Sequence, residues 1–436
     1  MPSLSGGPDA DAIPETWGGG DPGGGDRHWP AVRYRRVTGR RAPNGRAPEV
    51  DSHQPDARGV VQVDILIAGG GIGGLALARG LANSRHRVRV LERAPDLRTG
   101  GAAVTIYSNG AAALAGLGAP LDSFGGRLDI LRFQTTAGHP IITADLTVPA
   151  RRTGFPVTSV PRNALIEHLA RGVPVEYSRE LIDVEVHEDG VTAIDATGDR
   201  HHADVLVGAD GHRSAIRRAV LDPAPAIENE WTTWQGISPI LPEVAGDTTG
   251  VCVVGDAGLV GMLPSGGGLL MWWFDVHRQL DGSPAAALAA RFGGYGPLVQ
   301  RLVERIRDTD LESFRHVTHR VPDRWGRGGT TLLGDAAHAF PPTQAQGANQ
   351  AVEDAWLLSR ALSADPADVP RTLRRYEALR ARRVRKISRR AASERTNKPV
   401  PLPIRLLAAM MPPSLVGRAY TTQLRGISRV FNDETV

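Results

Sequence analysis

Three short stretches hold the residue types that do chemistry. The first is Gly69-x-Gly71-x-x-Gly74, set between an apolar run and a small-residue helix. Gly69 permits a tight turn, Gly71 lets the backbone approach a pyrophosphate, and Gly74 allows close helix–strand packing, with Gly73 in the same small-residue rim. The helix start offers free N–H groups and the positive end of its dipole to that diphosphate. Glu92 stands about 20 residues further on, where a carboxylate accepts hydrogen bonds from a ribose diol and repels a 2′-phosphate. The ligand is then an adenine dinucleotide, FAD or NAD, rather than NADP. Arg93 borders the same adenosine pocket, so it does not decide nicotinamide choice. The second stretch, "ADVLVGADGHRSAIRR" at 203–218, ends a strand in Asp210-Gly211 and carries Ser214 and Arg217 into a helix. Alone, it also reads as a strand, a turn and an N-cap serine. The third, "LLGDAAHAFPPTQAQGANQAVEDAWLL" at 332–358, sets Gly334-Asp335 at a strand end and starts a helix near Gln346-Gly347. A short acid there suits a polyol chain. A helix N-terminus carries roughly half a positive charge, which suits the anionic pyrimidine edge of a reduced flavin.

These groups need elements to hold them. "VQVDILIAGGGIGGLALARGLANSRHRVRVLERA" reads as strand, turn, helix and strand, a βαβ unit. Meander strands are expected around Ala137-Gly138, a helix over 162–173, and successive strands through 175–210. Further strands fill 231–276, and a long helix spans roughly 371–395. The expected architecture is α/β. A Rossmann-like FAD domain occupies 61–126, 151–230 and 326–398, with a mainly antiparallel substrate domain inserted at 127–150 and 231–325. Residues 1–60, rich in Gly, Pro and charge, are expected to form a disordered extension. Residues 399–436 are expected to be a C-terminal tail.

Composition removes several classes. The 436 residues carry 51 basic and 47 acidic side chains, and most of the base is Arg. Nucleic-acid binding needs a focused basic stripe with aromatics. The one dense run, "RARRVRKISRR", suits a solvated helix face. A single cysteine, Cys252, excludes an intrachain disulfide and a cysteine-built zinc site, so no metal is expected and a reducing, cytoplasmic home fits. No apolar run approaches the roughly 18 residues of a membrane span. The N-terminus lacks a signal pattern, and Arg35-Arg36 has no apolar stretch behind it.

The order of the three stretches resembles the class A flavoprotein aromatic hydroxylases, the para-hydroxybenzoate hydroxylase family, over about residues 62–395. The resemblance implies that Asp210, Gly211 and Arg217 lie near cofactor and that Asp335, after Gly334, holds the ribityl chain. Arg162, opening an "R..L...L" helix with Leu165 and Leu169, is implied to contact FAD. Gln346, Gly347 and Asn349 form the flavin-facing helix start, and "RRYEALRARR" resembles the family's C-terminal "Y...R" helix. One departure is Ala345, where such families carry Gly: a methyl is tolerated at negative φ and strained at positive φ. The implied cycle has NADH or NADPH reduce FAD, O2 add at C4a, and the hydroperoxide pass one oxygen atom to an aromatic or polycyclic small molecule. Flavin halogenases need a catalytic Lys after the dinucleotide motif, and both lysines, Lys386 and Lys398, lie near the C-terminus. No second GxGxxG follows an expected strand, as a disulfide reductase's would. Two alternatives stay open: a reductase or dehydrogenase of the same fold, and a flavin-binding scaffold or sensor without turnover.

The substrate wall is expected between the second and third stretches, from Trp234, Met262, Trp272 and Phe274, with Pro342 beside the flavin. The same side chains also suit an ordinary sheet core. Alternation puts Trp272 and Trp273 on opposite faces, so at most one of them faces a pocket. Tyr107 and Asn109 are further candidates near the flavin. His338 reads equally as a packing residue or a base, and no general base is assigned. Oligomeric state is not legible.

Overall fold

The structure is a computed structural model that describes residues 62–97, 100–121, 124–278, 280–364, 367–393 and 401–431. The expected extension 1–60 lies outside the described residues. A five-stranded sheet carries the first motif. Its order is Thr330–Leu332, Val205–Gly208, Asp64–Ala68, Arg87–Leu91, Val175–Glu176, and every pairing is parallel. Ile65, Leu66 and Ile67 are at most 2% exposed, as a parallel strand covered on both faces requires. Parallel pairing points all the strand ends one way. The three motif-bearing strands are immediate neighbours, so the sequence-distant motifs emerge side by side.

The second large sheet has seven strands, in the order Glu312–Thr318, Ile227–Ser238, Leu270–His277, Gly258–Pro264, Thr249–Gly255, Ile130–Thr135, Pro140–Asp145. Only the pairing of Thr249–Gly255 with Ile130–Thr135 is parallel. One face packs under helices Pro284–Phe292 and Pro297–Val303 to form a separate core, while Leu131, Leu263, Met271 and Trp273 pack toward the main core. Two three-stranded sheets fill the spaces between.

Helix Gly347–Ala364 packs on helix Ile72–Leu81, and the 25-residue helix Val369–Ser393 crosses it. The segment expected to be a tail instead forms helices Leu402–Ala409 and Pro413–Ile427 in its described part. Each has proline in its first turn, where the missing N–H costs nothing.

Candidate active site

The three motifs touch pairwise. A Cβ on Gly69, whose φ is +110°, would meet the Ala209 carbonyl oxygen at 2.5 Å, so the first turn lies against the strand that ends in Asp210. A Cβ on Gly73 would meet Leu333 Cδ1 at 2.5 Å, which seats the first helix on the third motif. Arg217 joins the second motif to the third: it is 1% exposed and donates to the carbonyls of Ala336 (3.1 Å), Ala337 (2.9 Å) and Arg320 (2.9 Å). Gly74 packs on the Gly69 carbonyl, as helix–strand contact demands.

Each motif also has a glycine open to space among the described residues. A Cβ on Gly71 would meet nothing within 4 Å, and the same holds for Gly211 and Gly347. Gly71 caps the N-terminus of helix Ile72–Leu81 with no side-chain hydrogen bond. The expected diphosphate cradle therefore has both the room and the free helix end for its ligand. Glu92 is 8% exposed, and its two oxygens accept from Gly70 N (2.7 Å) and Ala94 N (2.9 Å). Each oxygen keeps a lone pair for a ribose hydroxyl. Arg93 is exposed and approaches Glu180 at 3.9 Å.

Asp335 opens the short helix Asp335–His338 and is exposed, although the residues on either side are buried. The hydrogen bonds of the described residues leave its carboxylate unused. His212, from the second motif, feels the charges of both Asp335 and Arg93, so all three sit in one electrostatic neighbourhood; burial holds its imidazole below the ordinary value. Asp210 caps the following helix, accepting from Ala215 N at 2.7 Å, while its Oδ1 is buried without a partner. Burial raises the Asp210 carboxyl, and hydrogen bonds to its oxygens oppose that rise. Such an orphaned acceptor at a helix start is what a ligand hydroxyl or N–H would satisfy.

The start of helix Gly347–Ala364 is built by side chains locked from several elements. Asn349 donates to the carbonyls of Thr105 and Ala345, each at 2.9 Å, and accepts from Tyr107 N at 2.9 Å. Gln346 accepts from Asn109 (3.1 Å) and Gln350 (3.2 Å). Gly334 N donates to Asp354, whose other oxygen accepts from Arg380 at 2.5 Å. Arg380 also binds Glu353 (3.0 Å) and Gln350 Oε1 (2.7 Å). Burial pushes the Asp354 carboxyl up, but Arg380 and His338 more than reverse it, leaving it below the ordinary range. His338 is fully buried and bonds Asp354 at 2.6 Å, between Trp325 and Phe340. It is a packing and hydrogen-bonding residue, out of reach of solvent. Arg162 opens its helix and donates to the Gly100 carbonyl at 2.8 Å, beside Gly101.

The residues expected to form the substrate wall lie in the sheet interior. Met262, Trp272 and Phe274 are 0% exposed and sit in the second core, against Leu288 and Phe292, with Trp234 packed on it. These residues build the back of the sheet. The face turned toward the main core carries Trp273, Gln235, Thr233 and Asp275, and Trp273 covers Gly261 there. Pro342 starts the 3-10 turn Pro342–Gln344 that leads into Ala345. Sequence reasoning missed Tyr420, whose ring lies 5.4 Å from that of Tyr107. It also missed Asp275, whose Oδ1 accepts from Thr233 Oγ1 at 2.5 Å, with His316 bonded to the same hydroxyl at 2.8 Å. Burial pushes Asp275 up to about 6 and His316 down to about 4. The single signal for Asp275 was an acid inside the apolar run "LLMWWFDV".

Known proteins agree with this geometry. The model of the FAD binding domain family matches residues 62–391. The FAD-dependent urate hydroxylase of Klebsiella oxytoca is 31% identical over 341 residues, covering 73% of this chain and 86% of that protein. The 3-amino-4-hydroxybenzoate 2-monooxygenase of Streptomyces cremeus is 32% identical, covering 76% and 86%. Klebsiella pneumoniae HpxO, solved in complex with FAD and uric acid, superposes with a TM-score of 0.71 at 26% identity, over 85% of this chain and 95% of that one. Three strand ends that converge on an open, small-residue cradle, in a chain so related, make this protein a member of the FAD-binding class A monooxygenases of the aromatic-hydroxylase type.

Proposed function

We propose that the chain takes reducing equivalents from NADH or NADPH and hydroxylates an aromatic or polycyclic small molecule in the cytoplasm. The observation that carries this reading is that the exposed carboxylate of Asp335 and the open backbone at Gly71 both lie just past the C-terminal ends of strands in one run of three neighbouring parallel strands. FAD, when bound, supplies hydride acceptance and oxygen activation. Around it, Gly71 and the Ile72–Leu81 helix end hold the diphosphate, Glu92 orients the adenosine ribose, and Asp335 accepts from the ribityl hydroxyls. The N-terminal N–H groups of helix Gly347–Ala364 would stabilise negative charge on the flavin's pyrimidine edge. Asp210, with its free Oδ1, and Gly211 complete the cofactor side, while Arg217 braces the two motifs from behind. Tyr107, Tyr420 and the Trp273 face of the seven-stranded sheet shut water out on the substrate side. Relatives that act on urate and on an amino-hydroxybenzoate support a flat, electron-rich ring as substrate.

The test is to purify the protein and follow NAD(P)H and O2 consumption with a panel of phenols, purines and fused-ring aromatics. Substrate-stimulated oxygen uptake with a product one oxygen heavier is the expected result. Product formed without O2 points instead to a reductase or dehydrogenase. Bound flavin that no nicotinamide reduces points to a scaffold.

A further inference from the structure

The C-terminal helical pair carries an apolar face that flavin chemistry does not use. In helix Leu402–Ala409 and the residue after it, Leu402, Leu406, Leu407 and Met410 are 55%, 56%, 69% and 81% exposed. At 3.6 residues per turn these four fall within about 140° of the helix circumference. Ile404, on another side of the same helix, and Leu415, on the next helix, are exposed as well. The opposite side, with half-buried Arg405 and Ala408, faces the protein, where the helix covers the edge strand Pro140–Asp145. Edge covering explains the inner side of this helix; it does not explain an outer side made of leucine and methionine.

Charge says what fits there. Between Glu394 and Asp433 the sequence contains Arg395, Lys398, Arg405, Arg418, Arg425 and Arg429, and no Asp or Glu. Arg418 and Arg425 are exposed on helix Pro413–Ile427. A cavity of about 460 Å³ at the end of that helix has Arg152, Arg425, Trp356 and Phe431 among its lining residues, and no acid. A two-fold contact with a second copy would set this acid-free cationic segment against itself, and like charges would oppose it. An anionic bilayer meets both features: apolar side chains enter the headgroup–acyl boundary, and arginines meet the lipid phosphates. The helix is too short to span and is suited to lie in the interface.

We propose that the Leu402–Met410 face seats this protein on an anionic lipid surface, which would also give access to apolar ring substrates dissolved there. The flavin reading does not depend on it. The experiment is co-sedimentation of the full FAD-loaded chain with vesicles of phosphatidylcholine alone and of phosphatidylcholine mixed with phosphatidylglycerol. The expected result is pelleting with the anionic vesicles, weakened by salt, and reduced about tenfold or more in Leu407→Glu/Met410→Glu. Arg418→Glu should reduce it to a smaller degree. All variants should keep their flavin colour and melting temperature, since the altered side chains are exposed. No pelleting of the wild type, or equal pelleting of the double variant, overturns the proposal. So does a lipid-free dimer in sedimentation velocity that the double variant converts to monomer, which would assign the face to a second copy.

Discussion

At Ala345 the backbone takes φ +47° and ψ +33°, the left-handed region, just before helix Gly347–Ala364. An L-residue there costs roughly 1–2 kcal/mol, and glycine would recover it less its own extra chain entropy. Ala345→Gly should therefore stabilise the protein by about 0.5–1 kcal/mol, read as a raised denaturant midpoint at unchanged slope. A lowered midpoint would mean that the methyl packs favourably enough to outweigh its strain. Asp335 differs, because its carboxylate is exposed and accepts no hydrogen bond among the described residues. Asp335→Ala should leave apoprotein stability unchanged and weaken FAD binding by about 1–3 kcal/mol, measured by fluorescence titration. His319 is 4% exposed and bonds the His212 carbonyl at 2.8 Å; burial holds its imidazole down near 4. The unfolded chain takes up this proton near 6.5, the folded chain only near 4, so stability is present above that window and lost as pH falls through it. His319→Gln should remove about 2–3 kcal/mol of acid sensitivity between pH 6.5 and 4, seen as a flatter plot of melting temperature against pH.

The helices Gly347–Ala364 and Val369–Ser393 are joined by charges with no access to water. Arg380, Glu353 and Asp354 are each at most 1% exposed, and Asp354 also holds Gly334 N and His338. Removing one partner leaves an uncompensated buried charge. Arg380→Met should cost about 3–5 kcal/mol, and Arg380→Met/Asp354→Asn should cost less than the sum of the single changes. Additive losses would show that the pair is not coupled. Tyr376 and Arg380 come from "RRYEALRARR", so the helix was legible, but not that its arginine is interior. What was legible throughout follows from local constraint. Gly69, Gly71 and Gly74 are spaced by the turn they make, and Asp210 and Asp335 end strands whose pattern is plain. Which face of the seven-stranded sheet turns to the main core was not legible, because strand alternation gives two faces and no rule for choosing between them. The choice is made by helices Pro284–Phe292 and Pro297–Val303, which take Trp272 and Phe274 and leave Trp273 on the other side. Helix Pro413–Ile427, which brings Tyr420 to Tyr107, was hidden by prolines that mark loops and helix starts alike.

Over the whole molecule, one ligand would touch segments separated by more than two hundred residues: the turn at Gly71, the strand end at Asp210 and the helix starts at Asp335 and Gly347. Such a ligand binds the native chain and not the unfolded one. It should then stabilise the fold by RT ln(1 + [L]/Kd), about 2.7 kcal/mol at a hundredfold excess over Kd and about 1.4 kcal/mol more for each further tenfold. Stripping the flavin should lower the melting temperature of the entire chain, and adding FAD back should restore it with that logarithmic dependence. Gly71→Val separates ligand from scaffold. The backbone at Gly71, φ −81° and ψ −177°, admits valine without strain, and a Cβ there meets no protein atom within 4 Å. The apo variant should melt with the apo wild type, yet its melting temperature should not respond to FAD, because the side chain fills the space left for the diphosphate. An apo variant much less stable than the apo wild type would show that the space is not open. A variant that FAD still stabilises would place the cofactor elsewhere than at the meeting point of the three motifs.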